Sequence, residues 1–191
     1  MSSIIDEIYQ NSIKNLSNEA RVHVQITEAK IDMIIAEFTN LIEDSKISLN
    51  EKKELIKKYL FILSHANMTS KKTHPSLLKS FDYLKDLKLD ADFFVFLLSA
   101  IQKQFIDHQS RSGDKIPMEL FTRLKELLNH TNAEVLEWTL RTIEALGPQS
   151  LMFEKELAQL KPSILKLFNE HQQNAFKIID VIKNNWIRFK K

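Results

Sequence analysis

The chain reads as all-α, a short irregular α-solenoid of antiparallel helix pairs, with a globular helical bundle as the alternative arrangement. Three observations lead there. Apolar residues recur at helical spacing along most of the 191 residues, in segments bounded by capping residues. Only 2 Gly and 4 Pro are present, too little turn chemistry for a series of hairpins. One helix–turn–helix unit repeats along the chain at a near-constant offset.

The best-defined unit ends in Asn132–Pro148. Asn132 can cap the free N–H groups of the first turn, and Glu134 and Glu137 put negative charge near the positive end of the helix dipole. Val135, Trp138/Thr139, Ile143 and Leu146 form one apolar stripe. Gly147 supplies a left-handed C′ residue, and Pro148 forbids continuation. Upstream, Pro117–Asn129 is the partner helix.

In chain order, Ser2 or Ser3 caps a first helix that shows Ile5, Ile8, Ile13 and Leu16 on one face. Asn18–Ile42 reads as a longer helix, although Val22–Ile26 alternates as a strand would. Ser48 or Asn50 caps a helix running to about Ala66, and Asn67–His74 is a loop. Pro75 opens Ser76–Leu87. Ala91–Asp107 is apolar almost all round, as expected of a central helix, and Gln109–Lys115 is a second loop. A short helix at Ser150–Gln159 leads to Pro162, which kinks it or starts Ser163–Asn169, and a last helix covers about Gln172–Phe189. The whole makes about eight or nine helices.

At an offset of 40, Leu84, Leu124 and Ile164 align, as do Leu87, Leu127 and Leu167. In the second helices, Leu55, Val95, Val135 and Ala175 fall in one column and Ile56, Phe96, Leu136 and Phe176 in the next. Units with a constant offset can stack because each offers its neighbour the same apolar faces. The units are 28–66, 76–108, 117–147 and 150–187, within a single domain 1–191 that opens on a capping helix at 3–16.

Leu124–Gly147, LKELLNHTNAEVLEWTLRTIEALG, resembles a HEAT repeat: a leucine-rich first helix, a short Asn/His/Thr turn, Glu134-Val135, and the ending Ala145-Leu146-Gly147. Leu136 stands where that family favours Arg, so the Asp–Arg ladder between repeats is missing and apolar contact must do the stacking. The resemblance implies a right-handed helical solenoid and a protein-binding or scaffolding role.

Composition narrows the function further. A formal charge of +2, from 27 Lys and Arg against 25 Asp and Glu, carries no footprint of a dedicated nucleic-acid binder. With no Cys there are no disulfides, thiolate metal sites or cysteine nucleophiles. The six histidines never pair at i+3 or i+4, so no metal site is expected, and no phosphate loop or nucleophile elbow implies a cofactor or a catalytic residue. The most apolar run, Ala91–Ile101, falls far short of the roughly 18 residues of a membrane span, and the N-terminus resembles no targeting signal, so a cytoplasmic protein is the default.

The expectation is a non-enzymatic adaptor whose protein partner binds the second-helix face, with nucleic-acid binding as the alternative. On α-helical register that face carries Glu137, Arg141 and Glu144, with Lys57, Gln104, Lys177 and Asn184 at matching places. Glu137–Arg141 reads as an i,i+4 ion pair on a solvated face. Trp138 reads as packing. Trp186 either covers the end of the array or, if exposed, forms an anchor for a partner.

Overall fold

The computed structural model describes residues 4–16, 24–44, 46–86, 91–160 and 169–190. The protein is all-α, and the only β feature among the described residues is an isolated bridge between Val24 and Ala66. No helix among them is long and apolar enough to cross a membrane. The chain divides into two compact units, Met1–Lys115 and Ile116–Lys191, where the sequence suggests one continuous domain.

Unit one holds helices α1 (Ile4–Leu16), α2 (Glu28–Glu43), α3 (Leu49–His65), α4 (His74–Asp86), α5 (Ala91–Ile101) and α6 (His108–Ser112). The expected helix over Asn18–Ile42 is shorter, because α2 begins only after Thr27, whose hydroxyl caps Lys30 N. Residues 24–27 are instead extended. Val24 N–H donates to His65 O (2.9 Å), Asn67 N–H donates to Val24 O (3.0 Å), and Ile26 N–H donates to Asn67 Oδ1 (2.8 Å). Val24 and Ile26 are both buried, as i,i+2 residues can be on a strand but not on one helix face. Residues 17–23 lie outside the described residues.

Helices α2 and α3 run antiparallel. Lys52 Nζ at the start of α3 donates to Ile42 O at the end of α2 (2.8 Å), whereas Tyr59 hydroxyl, two turns on, reaches back to Glu37 Oε2 (3.0 Å). Helices α2 and α4 run in the same sense. Lys72 meets Asp32 (2.7 Å), Ser76 Oγ meets Thr39 Oγ1 (2.5 Å) and Lys79 meets Glu43, at separations of 40, 37 and 36 residues. Helices α3 and α5 also run in the same sense: Lys57 Nζ sits 4.8 Å above the Phe93 ring and Phe61 meets Phe96 edge-on. Helix α1 lies on α3 through buried Ile5, with Lys58 Nζ donating to Asp6 Oδ1 at 2.7 Å.

Helix α5 is buried on most sides, through Phe93, Phe94, Leu97, Leu98, Ala100 and Ile101. Beyond it the chain does not become a loop at 109. A π-helical segment, Gln102–Asp107, leads into α6, which stops where Gly113 takes a left-handed φ of 73°. His74 stacks on Phe105 with ring centroids 3.7 Å apart, and His108 bridges Thr69 and Asp114 at 3.1 Å each. These contacts fasten the 67–73 connection to the segment.

Unit two holds α7 (Met118–Leu127), α8 (Ala133–Ala145), a 3-10 segment (Gly147–Phe153), α9 (Glu154–Gln159) and α10 (Glu170–Phe189). Asn132 Oδ1 caps α8 by accepting from Glu134 N and Val135 N, and Gly147 is left-handed (φ 58°), both as the sequence implies. Pro148 ends α8 but sits at the start of a 3-10 turn. The last helix starts earlier than Gln172, because Asn169 caps it. Residues 161–168, with Pro162 and the repeat positions Ile164 and Leu167, lie outside the described residues, as do the side chains of Leu84 and Leu87. Phe121 stacks with Phe153 (5.8 Å) and Lys125 meets Glu156 (2.9 Å), so α7 and the run from the 3-10 segment into α9 proceed in the same sense.

Candidate functional site

Helices α8 and α10 pack along each other and carry most of the residues singled out in the sequence. Glu137 lies one turn past the Asn132 cap and points at α10. It is only 4% exposed, so it does not belong to a solvated face as expected. Its Oε1 accepts from Arg141 Nε (2.9 Å) and Nη2 (2.6 Å), the anticipated i,i+4 pair. Its Oε2 meets His171 Nδ1 at 2.8 Å, across 34 residues of chain. Asn169 positions that imidazole by accepting from His171 N (2.9 Å).

Burial alone would push the Glu137 carboxyl up. The hydrogen bonds and charges of Arg141 and His171 outweigh it and hold the group below its ordinary range. The arrangement is a carboxylate clamp between two helices: one anion saturated by two side chains whose outer edges reach solvent. The Arg141 guanidinium also lies 5.9 Å from the ring of half-buried Trp138.

Trp186 is buried, so the exposed-anchor reading does not hold. Its Nε1–H donates to Ser150 Oγ (2.9 Å), and Ser150 in turn donates to Gly147 O (2.6 Å). Gln104 belongs to unit one and is fully buried. Its amide donates to Leu63 O (2.9 Å) and Met68 O (3.3 Å) while its oxygen accepts from Ser70 N (3.0 Å). Lys57, also in unit one, is half-buried between Asp92 (3.9 Å) and Phe93. The sequence-picked residues of unit two whose side chains are accessible are therefore Arg141 and Glu144 on α8 and Lys177 and Asn184 on α10.

Exposed Val181 falls between Lys177 and Asn184 at i+4 and i+7, giving α10 one outward stripe of cation, aliphatic and amide. His171, Ser150 and Val181 were not among the residues picked from sequence. His171 carried one local signal, the Asn169 two residues before it, which fits a helix N-cap.

Among the described residues no group of three or more His, Asp or Glu side chains is placed to hold a metal ion. Comparison of the chain with known families, with curated proteins and with solved structures returns no match.

Proposed function

We propose that the protein is a non-enzymatic helical-repeat adaptor, of HEAT-like build, that binds a protein partner through the outer surface of α8 and α10. The observation that carries this reading is the same-sense stacking of alternate helices within each unit. Helix α2 lies beside α4, α3 beside α5 and α8 beside α10, with contacts recurring 34 to 40 residues apart. Stacked copies expose one helix per pair along a continuous layer, and such layers serve as binding surfaces. The clamp at Glu137 fixes the spacing of the two helices that form the layer in unit two, so a partner meets a preorganised surface.

The contact residues of this reading are Arg141, Glu144, Lys177, Val181 and Asn184. Glu137 and Trp186 support the layer from beneath. The experiment is site-specific photo-crosslinking in cells, with a benzophenone amino acid at Lys177 or Asn184 and, as controls, at exposed Glu119 and Lys30. A discrete adduct from the α10 positions alone supports the reading. Adducts from the controls only, or from none, contradict it.

A further inference from the structure

The last turn of α10 carries consecutive exposed side chains, Ile187, Arg188, Phe189 and Lys190. Ile187, at 62%, is the most open large apolar side chain among the described residues. The turn is nonetheless held in place. Trp186, just before it, is buried and bonded to Ser150, and Lys190 Nζ donates to Glu154 Oε1 (2.7 Å). Met152, between those two partners in the chain, is exposed as well.

Charge restricts what can cover this end. From Val181 to Lys190 the helix carries Lys183, Arg188 and Lys190 and no acid, and Lys191 follows. Neither Lys183 nor Arg188 meets a carboxylate among the described residues, and Glu154 offsets only one of the charges. A complementary surface is therefore anionic.

Shape restricts it further. Residues i and i+2 of a helix project nearly opposite ways, so Ile187 and Phe189 flank Arg188 on two sides. A peptide laid along the helix covers one of them and leaves the other wet. A nucleic acid uses the cations but gains nothing from an exposed Ile. A fluid interface entered by the helix end covers both apolar groups, while the long Lys and Arg stems reach back to the phosphates.

We infer that the end of α10 is a peripheral docking site for an anionic lipid surface. Ile187 and Phe189 insert, and Lys183, Arg188 and Lys190 meet the headgroups. The same cations offset the negative end of the helix dipole, which an anionic surface otherwise repels. Entry is shallow, because the last carbonyls of the helix still need water. The contact lies on the bilayer and does not cross it. It uses none of Lys177, Val181 and Asn184 and does not depend on the adaptor reading.

The test is co-sedimentation of the full-length protein with vesicles of phosphatidylcholine alone, or of phosphatidylcholine and phosphatidylserine at about 2:1. Pelleting with the phosphatidylserine vesicles only, weakened by salt, is expected. Ile187→Ser with Phe189→Ser should weaken it about tenfold, and Lys183→Glu with Arg188→Glu about tenfold or more. All four side chains are exposed, so helicity should be unchanged in both variants. No pelleting with either vesicle overturns the site, whether the turn then crosslinks to a protein or retards single-stranded DNA. Pelleting that survives both double variants places the lipid contact elsewhere and overturns it too. Loss in the charge variant without loss in the serine variant reduces the contact to adsorption and overturns the insertion of Ile187 and Phe189.

Discussion

Glu137 Oε2 and His171 Nδ1 lie 2.8 Å apart, joining the second turn of α8 to the first turn of α10 across 34 residues. The carboxylate is buried, and its other oxygen is already filled by Arg141. Removing His171 therefore leaves a buried lone pair facing no donor. His171→Ala should destabilise unit two by about 1–3 kcal/mol, the cost of an unsatisfied buried group. Both tryptophans lie in unit two, so fluorescence during urea unfolding reads this unit directly. An unchanged midpoint would mean the contact is not made in solution.

The same clamp sets an acid dependence. The Glu137 carboxyl is held below its ordinary value, so its contribution is present above the unfolded value of about 4.3 and is lost as pH falls through the folded one. Unit two should therefore lose stability steeply below about pH 4.3. In Glu137→Gln that part of the acid limb should flatten.

Unit one should respond to acid earlier and in the same direction. Burial pulls the His74 imidazole down, and its hydrogen bond to Gln104 O (2.8 Å) offsets only part of that. The unfolded chain takes up the proton first, so stability falls as pH drops below about 6.5. His74→Phe keeps a ring on Phe105 but cannot titrate. At pH 8 it should cost about 1 kcal/mol for the lost hydrogen bond, and its stability should be flatter between pH 7 and 5. Amide exchange of residues 67–74 measures both effects.

These polar contacts mark the limit of what the chain discloses by itself. Caps and stops are local, so Ser48, Asn132, Gly147 and the all-α class were legible from neighbouring residues. The burial of Glu137 and Gln104 was not, because their partners stand 34 to 41 residues away and a Glu or Gln at an outward-looking register position has no local mark of pairing. The extended run at 24–27 was half legible: the alternation at Val22–Ile26 is a strand pattern, but its partner is the end of a helix. The helix through 109–112 was missed because Ser, Arg and Gly there match loop chemistry, while His108 is fixed by Thr69 and Asp114.

Gln104 makes a further test possible. Its amide satisfies two carbonyls and one N–H of the 63–70 segment. Gln104→Leu keeps the volume but strands those groups, and should cost about 1–3 kcal/mol with faster amide exchange at Ser70. Retention of wild-type protection would show that the loop is held by other means.

Trp186 offers a graded pair. Trp186→Phe removes the donor to Ser150 together with part of the buried ring, and should cost about 1–3 kcal/mol. Trp186→Ala empties a buried site and should cost about 3–5 kcal/mol. Equal, small losses would place the ring in solvent.

The same-sense stacking of neighbouring helices is most directly read at Thr39 and Ser76, whose hydroxyl oxygens lie 2.5 Å apart between α2 and α4. The chain contains no cysteine, so Thr39→Cys with Ser76→Cys introduces a single possible bridge, between two side chains that already touch. Mild oxidation should give a quantitative intramolecular disulfide with helicity unchanged and a raised unfolding midpoint. Two free thiols, or only linked dimers, would contradict the stacking of helix pairs on which the proposed adaptor surface depends.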